Sequence, residues 1–553
     1  MPLSSISKLA SEVGFADAHV IPYGRGKAKI DLAALEERPR KGKLVLVTAI
    51  NPTKAGEGKT TTSVALGMGL SRIGTRALVC LREPSLGPVF GIKGGGTGGG
   101  KAQLEPATDI NLHFTGDLHA ISSAHNLLSA LIDNDLHFGH GVGAKSGLDA
   151  RRVSWPRVMD MNDRALRKVT VGLGGRSGGV PRESSFDITA ASEVMAILGL
   201  SSSRADLEAR LGRIVVGQRP DGSDVTAADL EAASAMAALL SDALLPNLAQ
   251  TSEGTPALVH GGPFANIAHG CSSLLATEMG LRYADVVVTE AGFGMDLGGE
   301  KFLDIKCRQA GIWPDAVVLV ATLRALKVHG GVPAKEASAP NPEALKAGLA
   351  NLEQHVRALA GFGLRPIVAL NGFPDDTDAE RALVEDACAR HELRVEVSQG
   401  FARGGEGAEG LASAVTAALA ASPETKTPNY AYALEEGYAT KLERIATQVY
   451  GAAGADIDPA AQAKLLRWEE AGLRLPVCVA KTPFALGDDA KARGGPPRDR
   501  RVYVRDVRLS AGAGFVVALL GDVMTMPGLP RVPASAKVRV EPDGRVRGLM
   551  QGD

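Results

Sequence analysis

Cysteine is scarce in this chain: Cys80, Cys271, Cys307, Cys388 and Cys478 are the only five in 553 residues. They are odd in number, widely spaced and without a CxxC pair, so no disulfide framework is expected; they read as reduced, mostly buried thiols of a cytosolic protein. Charge of one sign is lacking too. Lys+Arg 61 against Asp+Glu 62 gives a formal net charge of -1. Such a balance leaves no electrostatic footprint for nucleic acid, and anionic ligands must be held by local clusters. No apolar run approaches the length of a membrane span, and Met1 to Gly14 shows no cationic start followed by an apolar block. The expectation is a cytoplasmic chain without membrane or nucleic-acid partners. Aromatics are only 4%, which makes an aromatic beside a glycine loop noticeable.

What is present begins at residue 44. The apolar run Leu44–Val47 leads into Asn51-Pro52-Thr53-Lys54-Ala55-Gly56-Glu57-Gly58-Lys59-Thr60-Thr61-Thr62, and a helical pattern follows from Thr60. Strand, glycine loop and helix in that order suit a nucleoside triphosphate. Glycine frees backbone N–H groups to converge on phosphate oxygens, and the first helical turn adds positive dipole. Thr53, Lys54, Ala55, Gly56, Glu57, Gly58, Lys59, Thr60 and Thr61 are assigned to ATP. Lys59 would reach the β/γ-phosphates, and the Thr60 hydroxyl would ligate Mg²⁺. Thr53 stands where the general pattern has glycine. Lys54 occupies the place of the second lysine of certain dimeric ATPases, which opens an alternative: a nucleotide-driven dimeric switch. A plain glycine-rich surface turn is the bland alternative.

At roughly 150 residues per domain, the length points to two to four domains. Leu44–Val47, Ala77–Leu81, Val286–Thr289, Ala316–Val320, Pro366–Asn371 and Arg394–Ser398 read as buried strands, and Thr60–Arg72, Glu343–Ala360, Asp376–Arg390 and Glu409–Ala421 as helices. Strands apolar on both faces and separated by helices imply an α/β fold: a phosphate-loop, doubly wound, mostly parallel sheet with helices on both faces. Glu183–Leu245 is expected as a helix-rich insertion over one side of it. The expected division is 1–332 for the nucleotide-binding unit, 333–425 for a second α/β unit supplying aromatics to the pocket, and 426–553 for a mixed C-terminal unit. In that last part Asp543-Gly544 marks a hairpin turn.

Ligands gather at the carboxyl ends of such strands, and several chemistry-bearing residues fall there. Arg82 and Glu83 follow Ala77–Leu81; Arg82 is a fork of donors suited to carboxylate or phosphate oxygens, or else a solvated arginine. Gly91–Lys101, with Lys93, Gly94 and Gly95, is a second glycine loop, richer in glycine than a turn needs; a flexible linker is the alternative. Glu290, ending Asp285–Glu290, and Asp296 beyond it are the acidic candidates for orienting Mg²⁺. Glu290 could instead cap a helix or pair with Lys301. Phe373 with Pro374, and Phe401, lie just past strands and could sandwich a planar heterocycle, though each alone is compatible with a core role.

These motifs, in this order, resemble the formate–tetrahydrofolate ligase family. The likeness runs from Pro22-Tyr23-Gly24 to Met526-Pro527-Gly528-Leu529-Pro530. It takes in Gly91–Lys101, Val320–Gly331, Leu81–Pro88 and Pro476–Thr482. Departures are Lys54 for a usual proline, Gly96 and Thr97 for two alanines, Lys101 for tyrosine and Phe401 for tryptophan. The resemblance implies ATP, formate and tetrahydrofolate as substrates and 10-formyltetrahydrofolate, ADP and phosphate as products, through formyl phosphate. It also implies catalytic roles for Lys59 and Arg82, with Arg82 holding formate or the intermediate. Phe373, Pro374 and Phe401 would flank the pterin with Phe293 nearby. Activation by K⁺ or NH₄⁺ and a homotetramer are further implications.

Overall fold

Continuous apolar strands require cover on both faces, and alternation along each strand shows where it comes from. In Lys43–Ala49, Leu44 and Leu46 pack into one hydrophobic core, and Val45, Val47 and Ala49 into another on the opposite face. In Ala316–Ala321, Val317 and Leu319 go one way, Val318 and Val320 the other. One layer carries the helices Lys59–Arg72 and Glu409–Ala421, the other Leu274–Tyr283 and Pro342–Gly361. At about 1.5–3 kcal/mol for each fully buried valine or leucine, these strands anchor the fold.

The computed structural model describes residues 3–53, 56–91, 95–139, 146–492 and 494–549, Arg176 by its backbone alone. Lys54, Ala55, Lys93 and Gly94 lie outside the described residues. Among those described, twelve strands join in one sheet: β1 Val20–Pro22, β2 Ala28–Ile30, β3 Lys43–Ala49, β4 Ala77–Leu81, β5 Gly98–Gly99, β6 Ala102–Glu105, β7 Asn247–Thr251, β8 Pro256–Val259, β9 Val286–Glu290, β10 Ala316–Ala321, β11 Pro366–Asn371 and β12 Val395–Ser398. The main path is β1-β2-β7-β8-β4-β9-β3-β10-β11-β12. From β8 to β12 every pairing is parallel. The β1, β2, β7 edge is antiparallel, and the short β5–β6 hairpin joins it through β7. Thus β3, which feeds the glycine loop, is central, between β9 and β10. The parallel α/β architecture is the one expected.

The segment 333–425, expected as a second α/β unit, brings no sheet of its own. Its strands β11 and β12 continue the main sheet past β10. The expected insertion holds the helices Glu193–Leu200, Arg204–Gly212 and Ala233–Leu239, packed with the 22-residue helix Asp117–Phe138. That long helix went unrecognised in the sequence because His125 and Ser129 interrupt its apolar face. The C-terminal part holds a three-stranded sheet of Val477–Ala480, Phe515–Leu519 and Asp506–Ser510. It is buried on both sides. Val477, Val479, Val516 and Ala518 face the core of the main sheet, while Cys478, Ala480, Phe515 and Val517 face the helical insertion. The expected hairpin pairs Arg539–Val540 with Val546–Arg547, and Gly544 takes φ +83 in its turn.

Candidate functional site

The loop after β3 is shaped by two left-handed glycines, Gly56 at φ +77 and Gly58 at φ +71, the latter capping the helix Lys59–Arg72. Side-chain bonds fix the loop from within and without. The Glu57 carboxylate accepts from the Thr53 N–H at 2.6 Å, and the Glu57 carbonyl accepts from Asn371 Nδ2 at 2.6 Å. Asn371 Oδ1 accepts from Thr62 Oγ1 at 2.9 Å, so one residue at the end of β11 ties the loop to the first turn of its helix. The helix itself seats closely on the sheet: a Cβ at Gly67 would come within 2.3 Å of Val79 Cγ2 on β4.

Three adjacent strand ends deliver the remaining groups. Thr60 Oγ1 donates to Glu290 Oε2 at 2.9 Å, and Glu290 Oε1 lies 3.9 Å from Arg82 Nη2. Arg82 Nη1 donates to the Pro263 carbonyl at 3.1 Å, while its buried Nε has no hydrogen-bond partner among the described residues. Lys59 Nζ donates at 2.9 Å to the carbonyl of Phe293, a non-glycine residue held at φ +59. Such backbone strain, about 1–3 kcal/mol, concentrates at functional sites. Burial lowers the Lys59 ammonium's pKa; Glu290 opposes that shift, and Arg82 adds to it by repulsion. Two cations and a helix N-terminus thus face one carboxylate, an arrangement suited to a polyanion.

The second glycine loop comes to the same place. The Lys101 N–H donates to the Phe401 carbonyl at 2.9 Å. A Cβ at Gly99 would stand 3.1 Å from Phe401 Cε2 and 3.6 Å from Thr61 Oγ1. Glycine there lets the hairpin slide between the helix start and the Phe401 ring, which is 53% exposed. Phe373 follows the neighbouring strand β11, with the Arg324 guanidinium 4.0 Å over its ring and Asp375 pairing with Arg324. Pro374 beside it is exposed.

Some expected residues sit elsewhere. Asp296 does not join Thr60 and Glu290. A π-helical turn, Met295–Gly299, carries its carboxylate to a buried site where it pairs with Lys481 at 2.6 Å and accepts from Asn51 Nδ2 at 2.9 Å. Glu83 is buried, and that burial pushes its carboxyl well up, with Asp117 and Asp160 adding to the rise and Lys29 and Lys27 opposing it. Gly95 hydrogen-bonds through its N–H to the Leu549 carbonyl at 2.6 Å. Lys301 donates to the Ala265 carbonyl rather than pairing with Glu290. Asn371 and Asn51 carry no site role in the sequence motifs, yet Asn371 donates to the Glu57 carbonyl and Asn51 to Asp296. Asn371 ends β11 and Asn51 stands two residues past β3, each directly before a loop of interest, and that position is the available signal.

A mostly parallel sheet whose central strand feeds Gly-Lys-Thr at a helix N-terminus, flanked by strand-end Arg82 and Glu290, defines an α/β protein with a cationic cleft at its strand ends. Comparison with known proteins narrows this. The family model described as formate–tetrahydrofolate ligase matches residues 1–550. The chain is 56% identical over 559 residues to a formate–tetrahydrofolate ligase of Myxococcus xanthus, covering 100% of both chains. It is 55% identical over 553 residues to one of Methylobacterium nodulans, covering 99% of this chain and 98% of the other. A third, from Paracoccus denitrificans, is 56% identical over 548 residues, covering 98% and 97%. The chain belongs to the formate–tetrahydrofolate ligase family, and it is a ligase. No helix among the described residues is long and apolar enough to cross a membrane.

Proposed function

We propose that this chain uses ATP to join formate to tetrahydrofolate, giving 10-formyltetrahydrofolate, ADP and phosphate by way of formyl phosphate. A formate oxygen attacks the γ-phosphorus and the bond to ADP breaks. The folate N10 then attacks the formyl carbon, the carbon–oxygen bond to phosphate breaks, and the amine loses its proton. Formate is itself the nucleophile, so the protein's task is positioning and charge stabilisation.

The observation that carries this reading is the convergence of Lys59, Thr60, Arg82 and Glu290 at neighbouring strand ends in a member of this family. Formate and the γ-phosphate repel. At ~4 Å two unit charges cost about 1 kcal/mol in water and about 4 kcal/mol at an effective dielectric near 20. Lys59 counters the phosphate charge, and the unpaired Nε of Arg82 is a donor for formate or the formyl phosphate oxygens. Thr60 and Glu290 offer a hydroxyl and a carboxylate at hydrogen-bond distance, hard oxygens fit to hold the nucleotide's Mg²⁺, which would supply further neutralisation. Phe373, Pro374 and Phe401, with Phe293 close by, would flank the pterin, and closure over folate would keep water from formyl phosphate. The family likeness extends the proposal to K⁺ or NH₄⁺ activation and a homotetramer.

A dimeric ATPase switch, the alternative raised by Lys54, explains neither the second glycine loop nor the C-terminal motifs. Product formation with ATP, formate and tetrahydrofolate tests the proposal against Lys59→Ala and Arg82→Ala. Turnover should need all three substrates and fall by roughly 100-fold or more in either variant. ATP hydrolysis indifferent to formate and folate overturns it.

A further inference from the structure

Asn51 stands where β3 gives way to the nucleotide loop, and each of its polar atoms is engaged. Its N–H faces Asn351 Oδ1 at 3.4 Å, and its carbonyl pairs with His329 Nε2 at 2.9 Å. Its side-chain oxygen accepts from Asn351 Nδ2 at 3.0 Å. Its Nδ2 donates to Asp296 Oδ1 at 2.9 Å and to the Pro483 carbonyl at 3.2 Å. Asp296 is in turn gripped by Lys481 at 2.6 Å, with His355 Nε2 at 3.3 Å. Lys481 Nζ also donates to the carbonyls of Thr482 and Ala485. Asn51, Asp296, Lys481 and His355 are all essentially inaccessible to solvent.

A buried ion pair is costly to desolvate and is weak evidence for stability, since apolar residues of similar volume often replace one without loss. What this pair does is geometric. Asp296 lies three residues beyond Phe293, whose carbonyl receives Lys59. The same short segment therefore sets both the entrance of the loop, through Asn51, and the lysine at its far end. Lys481 and Pro483 fasten that segment to the C-terminal part of the chain, more than 400 positions away in sequence from Asn51.

We propose that Asp296 and Lys481 are positioning residues for nucleotide binding, acting through Asn51, and that they couple the C-terminal segment around Lys481–Ala485 to the phosphate loop. This rests on the nucleotide reading of the loop. It also gives the C-terminal motif Pro476–Thr482 a role apart from any ligand contact.

The test is the double variant Asp296→Leu/Lys481→Met, which removes both buried charges together and leaves the Asn51 amide without its carboxylate. ATP affinity is measured by calorimetry, alongside KM for ATP, formate and tetrahydrofolate. The expected result is a denaturation midpoint near wild type, ATP affinity weakened at least about tenfold, and KM for formate and folate within about threefold. Adding Asn51→Ser to the double variant should weaken ATP binding by less than about threefold more, because the substitutions act through one link. Unchanged ATP affinity, a uniform loss across all substrates, or a multiplicative effect of Asn51→Ser overturns the inference. If the double variant does not fold, Asn51→Ser in the native background decides: ATP binding at least about tenfold weaker supports it, and unchanged binding refutes it. A wild-type protein that binds no ATP overturns the site reading itself. One that binds ATP without making product overturns only the proposed reaction.

Discussion

Replacing Asn371 with alanine removes the outer tether of the nucleotide loop. Two bonds are lost, the 2.6 Å donation to the Glu57 carbonyl and the 2.9 Å acceptance from Thr62, both partly buried. At about 0.5–1.5 kcal/mol net each, the loss is about 1–3 kcal/mol. It falls on the loop and the first turn of its helix, because the amide lies against Gly58, where a Cβ would come within 2.8 Å of Nδ2. If the loop must be ordered before it binds phosphate, most of that free energy appears as lost ATP affinity, roughly 5- to 150-fold. The inner tether, Glu57 to Thr53, stays in place, so the fold and the denaturant midpoint should change little. Asn371→Asp sharpens the test: it keeps an acceptor for Thr62 but sets a carboxylate oxygen against the Glu57 carbonyl, and should bind ATP no better than the alanine variant. Calorimetric ATP titration with parallel KM values for formate and folate reads the effect. ATP affinity within twofold of wild type in both variants would show that Asn371 does not order the loop.

Thr60→Val removes the hydroxyl bonded to Glu290 and should raise the Mg²⁺ needed for half-maximal turnover by roughly tenfold or more, read from magnesium titrations at saturating ATP; an unchanged titration places the ion elsewhere. Gly67→Ala sets a Cβ 2.3 Å from Val79 Cγ2 and should destabilise the protein by about 1–3 kcal/mol in urea denaturation, whereas a neutral result would mean that Val79 turns aside freely. Burial pushes the His125 imidazole, stacked on Trp155, down to about 3, so the folded protein leaves it neutral where the unfolded chain, at about 6.5, takes up a proton. The stability it contributes is present above about 6.5 and is lost as pH falls toward about 3, at up to about 1.4 kcal/mol per pH unit. Urea midpoints between pH 7 and pH 5 should therefore fall more steeply for wild type than for His125→Phe, and equal slopes contradict the assignment.

The parts of this molecule that were legible in the sequence share one property: their signal is local. The β3 run, the glycine loop and Gly-Lys-Thr follow one another within some twenty residues, and strands such as Ala77–Leu81 and Pro366–Asn371 lie where their apolar runs stand. Pairing is not local. β11 and β12 read as the start of a second unit because a linker-like stretch precedes them, yet β11 pairs with β10 and β12 with β11, so both extend the main sheet. The same holds within the site. Glu290 ends β9, and because sheet order puts β9 next to β3 its carboxylate meets Thr60. Asp296, six residues on, is turned away from Thr60 and Glu290 by a π-helical turn that leaves no periodic trace in the sequence. Its partner Lys481 lies 185 positions away, and no spacing rule connects a carboxylate to a lysine at that distance. The role of Asn371 depends on tertiary approach in the same way.

If formate displaces ADP from the γ-phosphorus at the glycine loop, one of its oxygens must end in the released phosphate. Doubly ¹⁸O-labelled formate tests this directly. Each phosphate released with 10-formyltetrahydrofolate should carry one ¹⁸O, left behind when the formyl carbon parts from the bridging oxygen, while the formyl group keeps the other. Phosphate free of ¹⁸O, in a reaction that still makes product, would contradict it.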